Sequence, residues 1–395
     1  LIITLIKFIM NIDTLSNKKY NLKNENIIND GAFANIYDII NNEDKNNNYI
    51  VKLQKKEYKY EAINEIEILL KLKKNKNKYI NKLKELNISL DKTKVIDLID
   101  YYIDNEYFYL ILPKYECTLE YFNILYNKEF NETLPINLIK KIINSLFLSI
   151  YELHYSNLIH CDIKPNNILI DLKYKNLKQL IKDIKNKKIK KNDLINYIDI
   201  VLIDFNKTQK NKCIYKSTNV QILYYMAPEI ILNNKNFNNT IDIWSIGIII
   251  YELLAGCYLF DIYKENQING NHFKNYTLNK KSKITTDYAY TNSDYSYDKS
   301  YKLEYLSLLY NYKFILGDNN ILYGNDLDIF YSNNLLFGDI NNNKSENNLI
   351  PYNTNNIKIT NTEFLNHIFN ILKKILIYDY NNRLTAEEFL TKYKF

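Results

Sequence analysis

The sequence predicts an α+β fold in two lobes, a small strand-rich front and a larger, mainly helical back. Three observations carry this. Residues 27–53 alternate short apolar stretches with the turn-forming runs "NDG" and "NNEDKNNN", the pattern of strands joined by turns. Residues 57–72, "EYKYEAINEIEILLKL", place Ile63, Ile66 and Leu70 at helical spacing with acids on other faces. From residue 133 onward, long apolar helical stretches dominate. At 395 residues and 46% hydrophobic, the chain can bury the core that such a fold needs.

Taken in order, "LIITLIKFIM" (1–10) is apolar but too short to span a bilayer, and it lacks the small-residue cleavage site of a signal peptide. Three readings stay open for it: a natural start at Met10, packing on the fold, or a membrane anchor. Residues 1–20 are therefore set apart as an extension. The strands of 27–53 and the helix of 57–72 are followed by another strand run, "EYFYLILP" (106–113), closed by Pro113. The lobes then meet near 113–118, which gives a front lobe of 21–113 and a back lobe of 114–395. In the back lobe "LPINLIKKIINSLFLSIYELHYSN" carries one apolar stripe, and "TIDIWSIGIIIYELLAG" is apolar all round and so predicted to be buried.

Two insertions interrupt the back lobe, at about 171–197 and 264–300. The first holds nine lysines against three aspartates over 171–193, so most of the net charge of +7 sits there and a nucleic-acid-binding fold is disfavoured. Leu177, Leu180, Ile181 and Ile184 recur at helical spacing within it, so it reads as either a basic amphipathic helix or a solvated loop. The second is rich in Asn, Ser, Thr and Tyr and reads as a surface excursion.

Asn, Lys, Ile and Tyr dominate the composition, as AT-rich coding would produce, while Arg383 is the sole arginine and Trp244 the sole tryptophan. Surviving copies of depleted residue types are natural candidates for fixed roles. The four cysteines lie far apart with no CxxC pair, which argues for a reducing, intracellular compartment and against a structural zinc site.

The stretch "LIHCDIKPNNILI" (158–170) sets an Asp, a Lys and an Asn between apolar, strand-like residues. An Asp in a turn usually bonds its own backbone, but the string H-x-D-x-K-P-x-N is specific. Phosphoryl transfer needs positioned charge more than covalent chemistry, and this string supplies it. Asp162 would orient or accept the proton of the attacking hydroxyl, Lys164 would neutralise the transferring phosphate, and Asn167 would offer its amide oxygen to Mg²⁺. Leu169 would lie under the adenine.

These residues resemble the catalytic loop of the eukaryotic protein kinase family, and further motifs occur in the family's order over about 25–395. "VLIDFN" (201–206) is similar to the D-F-G element, with Asp204 as a metal ligand; "YMAPEI" (225–230) to A-P-E; "DIWSIG" (242–247) and "NNRLTAEEFL" (381–390) to two C-lobe helices. "INDGAFANIYDI" (28–39) is similar to the Gly-rich loop. The resemblance places Ile28, Asn29, Gly31, Ala32, Phe33, Ala34 and Ile36 around ATP, with Asn29 and Ala34 where the family has its first and third glycines. Lys52 in "YIVKL" matches the lysine on the α- and β-phosphates, with Glu65 as its helix partner and Glu61 as the alternative. Glu229 and Arg383 match the pair that ties A-P-E to the C-terminus.

The resemblance implies a bilobal protein kinase fold, ATP and Mg²⁺ as cofactors, and a monomeric serine/threonine kinase acting on protein, cytoplasmic or nuclear, with no membrane span. A pseudokinase that binds nucleotide or scaffolds partners is the alternative. "LLAGCYLFD" and "DIFYSNNLLFGDI" (328–340), together with the insertion at 171–197, are similar to the SR-protein kinase branch, implying a basic or Ser/Arg-rich substrate. Cys161 stands where many kinases have an Arg that clamps a phosphorylated activation loop, so phosphorylation is not the expected switch. Asn206 stands at the D-F-G glycine and tolerates a left-handed backbone. Ile222 stands where Ser/Thr kinases usually carry a Thr, and Ile50 at the usual Ala above adenine.

Overall fold

The computed structural model describes residues 19–30, 34–44, 48–90, 93–211, 220–232, 234–260 and 359–395. The N-terminal stretch 1–18 with Met10, the loop residues Gly31, Ala32 and Phe33, the insertion at 264–300 and the segment 328–340 lie outside them. The chain divides into two compact units, residues 1–214 with 385–395, and residues 215–384.

The first unit is α+β, the class the sequence predicts. It opens with a five-stranded antiparallel sheet in the order β1-β2-β3-β5-β4, formed by β1 (Tyr20–Asp30), β2 (Ala34–Asn41), β3 (Tyr49–Lys55), β4 (Asp100–Ile103) and β5 (Tyr107–Pro113). Side chains alternate across each strand. Val51 and Leu53 therefore join Tyr20, Tyr37, Ile39, Tyr109 and Ile111 in one buried cluster. Lys52 projects to the opposite face, directly across from Ile36 on β2 and Leu110 on β5.

Helix α1 runs over Lys59–Glu85, thirteen residues past the predicted end at Leu72. Its inward face also differs from the predicted one. Ile66 is buried, but Ile63 and Leu70 are each 40% exposed, and the buried line is Ala62, Glu65, Ile66, Leu69 and Leu72. The helix is rotated so that a carboxylate, Glu65, joins the apolar line. The ion pair described below makes that burial tolerable.

The helical layer of this unit follows: α2 (Leu119–Phe130), capped by the Thr118 hydroxyl accepting from the Tyr121 amide, and α3 (Ile136–Tyr155). The closing helix α7 (Ala386–Lys392) starts at a reciprocal capping box between Thr385 and Glu388, a stop-start signal present in "TAEE". It docks on α3 through Phe147 and Phe389, whose rings stack with centroids 3.7 Å apart. Short strands carry the functional loops: β7 (Leu158–Ile159) pairs with β10 (Gln209–Lys210), and β8 (Ile168–Leu172) lies between β6 (Cys117–Thr118) and β9 (Ile198–Leu202).

The lysine-rich insertion resolves into helix rather than solvated loop. Helix α4 (Leu177–Lys185) buries Leu177, Leu180, Ile181 and Ile184, the four apolar residues spaced for it, and is capped by Asn176 accepting from the Gln179 amide. Lys185 and Lys191 reach Glu129 and Glu132 near the end of α2, which pins the insertion to that part of the fold.

Glu152 on α3 is buried beside a small cavity it shares with Leu69, Lys76 and Asp97, and among the described residues its Oε2 has no hydrogen-bond partner. Burial pushes its carboxyl up to about 8, against a partial downward pull from Lys76. An unfolded Glu titrates at 4.5. The folded chain therefore holds the extra proton between these values, and stability is expected to fall as pH rises through that window. Glu152→Gln should flatten this loss in melting temperatures taken from pH 5 to 9, and parallel profiles for the two proteins would discard the assignment.

In the second unit, α5 (Thr240–Ala255) is buried over almost its whole length and stops at Gly256 in the left-handed conformation. Gly247 has a packing reason: a Cβ there would sit 2.6 Å from Ile375 Cγ2 on α6 (Thr362–Ile375). Arg383 donates all five of its N–H groups, to both Glu229 oxygens at 2.7 and 3.0 Å, to Thr240 O, and twice to Ile377 O. Its guanidinium lies over the Trp244 ring, 5.1 Å from the centroid. Ile222 is 40% exposed in this unit.

Candidate active site

On β3, Lys52 Nζ lies 2.8 and 3.0 Å from the two Glu65 carboxylate oxygens and 3.3 Å from Asp204 Oδ1. Glu65, not Glu61, is thus the acid the fold brings to Lys52. Burial works against the lysine's charge, but the two carboxylates outweigh it and hold the ammonium well above its ordinary range. Burial likewise opposes ionisation of Asp204, yet Lys52, with His160 and Lys164 further off, keeps that carboxyl below the usual range. The site therefore presents a fixed cation beside a fixed anion, the arrangement that grips a polyphosphate with its counter-ion.

The loop after β7 is shaped by its own backbone contacts. Cys161 is fully buried in the left-handed conformation with φ 68°, and its thiol faces Ile159 O, so no charge stands at that position. His160 Nδ1 accepts from the Asp162 amide at 3.2 Å, which leaves the proton on Nε2 to be donated to Ile203 O at 3.0 Å. This one ring therefore ties the Asp162 loop to the strand end that carries Asp204.

Asp162 uses its two oxygens differently. Oδ2 accepts from Lys164 Nζ at 3.0 Å and from the Asn167 amide nitrogen at 3.1 Å. Oδ1 is buried without a hydrogen-bond partner among the described residues, 3.8 Å from Lys207 Nζ. A buried carboxylate oxygen that accepts no hydrogen bond is costly unless something donates to it. Its chemistry suits an incoming hydroxyl. Asn167 also donates to Asp162 O at 2.8 Å, so its amide nitrogen is occupied while its amide oxygen carries no bond among the described residues.

That free amide oxygen and the Asp204 carboxylate are two hard oxygen donors, the kind of set Mg²⁺ takes alongside substrate phosphates. The residues fit such an ion. The left-handed turn that aims Asp204 falls on Asp204 itself, with φ 69°, rather than on Asn206 as the sequence suggested.

The residues expected from the sequence to face a nucleotide are less concentrated. Ile36 pairs with Lys52 across β2 and β3, Leu169 lies half-buried on β8, Ala34 opens β2, and Ile28 is 48% exposed on β1. Asn29 is opposite Ile36 in the β1–β2 register.

Three residues of the site went unread in the sequence. Gln54 shares the Lys52 face of β3, is fully buried and donates to Asn206 Oδ1 at 3.3 Å. Asn64 donates to the carbonyls of Phe205, Asn206 and Thr208 at 3.4, 3.2 and 3.0 Å. Lys207 faces Asp162. The period-two step from Lys52 to Gln54, and a helix-disfavoured Asn immediately before Glu65, were the available signals.

A family model described as protein kinase domain matches residues 22–393. The chain is 27% identical over 255 residues to calcium-dependent protein kinase 4 of Plasmodium berghei, covering 63% of this chain and 40% of that protein. It is 29% identical over 272 residues to the probable serine/threonine-protein kinase clkA of Dictyostelium discoideum, covering 63% of this chain and 27% of that one. Over 186 residues it is 30% identical to the dual specificity protein kinase lkh1 of Schizosaccharomyces pombe, covering 45% of this chain and 24% of the relative. The chain thus spans less than half the length of these curated relatives.

Proposed function

The chain belongs to the protein kinase family, and from that premise we propose that it is a serine/threonine protein kinase transferring the γ-phosphate of Mg·ATP to protein hydroxyls. The observation that carries this reading is the joint presence of the Lys52–Glu65–Asp204 ion cluster and an Asp162 whose Oδ2 holds Lys164 while its Oδ1 has no hydrogen-bond partner among the described residues. Lys52 would hold the α- and β-phosphates, and Glu65 would fix the lysine's reach. Asp204 and Asn167 would hold Mg²⁺, which when bound neutralises charge on the phosphate oxygens. Asp162 Oδ1 would orient the acceptor hydroxyl and take its proton, while Lys164 faces the charge that develops on the transferred group.

The finer readings belong to the same proposal. The front lobe is taken as 21–113 and the back lobe as 114–395. Ile28, Asn29, Gly31, Ala32, Phe33, Ala34, Ile36 and Leu169 are assigned to the nucleotide. The insertion at 171–197 and "LLAGCYLFD" support placement near the SR-protein kinase branch, hence a basic or Ser/Arg-rich protein substrate and a monomeric enzyme of a reducing compartment. Among the described residues no helix is long and apolar enough to cross a membrane.

The test is transfer of label from ATP with Mg²⁺ to a basic or Ser/Arg-rich protein. Transfer is expected from the wild type and not from Asp204→Asn, nor from the wild type in excess chelator. Equal labelling by wild type and variant would sink the enzymatic reading. Thermal stabilisation by Mg·ATP without turnover would assign a nucleotide-binding scaffold instead, the reading favoured by Asn29 and Ala34 at the loop-glycine positions and by Ile222 at the usual Thr.

A further inference from the structure

Asn64 stands one residue before Glu65 on α1, and its single amide nitrogen meets three backbone carbonyls of the segment that follows Asp204. An amide nitrogen has only two hydrogens, so at least one of them is shared among these acceptors. The carbonyls belong to a tight turn closed by Thr208 N donating to Phe205 O at 3.1 Å, not to a helix or a sheet. Without Asn64 the carbonyls of Asn206 and Thr208 would lose the donor that α1 supplies. From the other side of the same turn, buried Gln54 on β3 donates to the Asn206 side chain. Asn206, at the place where a glycine would have no side chain to hold, thus becomes a handle.

The consequence follows from the order of residues. Glu65 pairs with Lys52, Lys52 touches Asp204, and Asp204 directly precedes Phe205, whose carbonyl Asn64 bonds. One helix therefore fixes both the lysine and the metal-binding aspartate, through Glu65 on one and Asn64 on the other. The side chains that latch the turn, Asn64 and Gln54, are neutral, whereas the Glu65–Lys52–Asp204 link beside them is ionic, and none of these groups is a modified residue. We propose that Asn64 is a positioning residue that, with Gln54 and Asn206, latches the Asp204 turn onto α1 and β3, so that the site is assembled without phosphorylation of the chain. This rests on the kinase reading for its purpose, but the latch itself is a property of the fold.

The experiment compares wild type, Asn64→Leu and Asn206→Gly, each dephosphorylated by a phosphatase, using readouts that need no catalysis. In Asn64→Leu, amide exchange at residues 205–208 should accelerate about tenfold, the equivalent of about 1.4 kcal/mol, while exchange in α3 stays unchanged. The Mg²⁺ concentration giving half of the ATP-dependent thermal stabilisation should rise by a similar factor. Asn206→Gly removes the Gln54 contact and should loosen the same amides, with the double variant showing less than the sum of the two effects. If Asn64→Leu leaves exchange at 205–208 as in the wild type, the latch is overturned, as it is if both variants loosen the whole molecule equally. Dephosphorylated wild type inactive but phosphorylated wild type active would overturn the regulatory part. Wild type that transfers no phosphate in either state, yet shows the local change in exchange, would remove the kinase reading and leave the latch standing.

Discussion

On the proposed kinase reading, Asp162→Asn is expected to lower kcat by about 10² to 10⁴, the usual worth of a positioned general base, with little change in the KM for ATP. The geometry explains why the loss should be confined to the chemical step. The substituted amide has the shape of the carboxylate, so its oxygen can still accept from Lys164 and Asn167 as Oδ2 does. Its NH₂ group then occupies the buried position of Oδ1, the carboxylate oxygen that accepts no hydrogen bond among the described residues. A donor would face the substrate hydroxyl where an acceptor stood, and the countercharge to Lys164 and Lys207 would be gone. Lys52, Glu65 and Asp204 are untouched, so the nucleotide-dependent rise in melting temperature should match that of the wild type. Initial rates over a range of ATP concentrations decide it, and a kcat within threefold of the wild type would remove Asp162 from the reacting centre.

Why some of this was legible and some was not comes down to how local the physical cause is. Lys52 and Ile36 were legible only through the resemblance of "YIVKL" and "INDGAFANIYDI" to kinase motifs; that the two face each other across β2 and β3 comes from the strand register. The Asp162, Lys164 and Asn167 set was legible because all three sit in one short loop whose string has few other uses. The inward face of α1 was not, because apolar spacing alone favoured Ile63 and Leu70 over a line containing Glu65. A carboxylate can enter such a line only if a lysine from a distant strand meets it, and helical periodicity carries no information about that partner. The extra length of α1 was hidden for a related reason: "KLKKNKNKYINKLKE" dilutes the apolar signal to Leu72, Tyr79 and Leu83, all buried by tertiary packing. Asn206, matched to the D-F-G glycine, was expected to take the left-handed backbone, but the positive φ falls at Asp204, and a match of motif position does not say which residue of the turn carries it. The helix at Leu177–Lys185 was legible as an alternative, and the burial of its four apolar residues decides between the two readings.

Arg383→Lys should destabilise the second unit even though it preserves the charge. Five donors meet five acceptor contacts at Arg383, in a site where the arginine and Glu229 side chains are 0% and 1% exposed. A lysine has three donors and no planar fork, so at least two of these contacts must lapse and the stacking over Trp244 is lost with them. A hydrogen bond to a charged group is worth about 1.5–3 kcal/mol, so the loss of even one from Glu229 costs on that order. Arg383→Met should cost more, about 3–5 kcal/mol, because it strands a buried carboxylate with no counter-ion. The double variant Arg383→Met with Glu229→Met separates the pair's own worth from that penalty. It should be more stable than Arg383→Met alone, since two apolar side chains leave no lone charge. Denaturant unfolding of wild type, Arg383→Met, Glu229→Met and the double variant measures this, and a double variant whose loss equals the sum of the two single losses would show that the two residues act independently. Strong coupling would account for the survival of one arginine in a chain that uses lysine everywhere else: only the guanidinium fork satisfies both oxygens of Glu229 and the carbonyls of Thr240 and Ile377 at once.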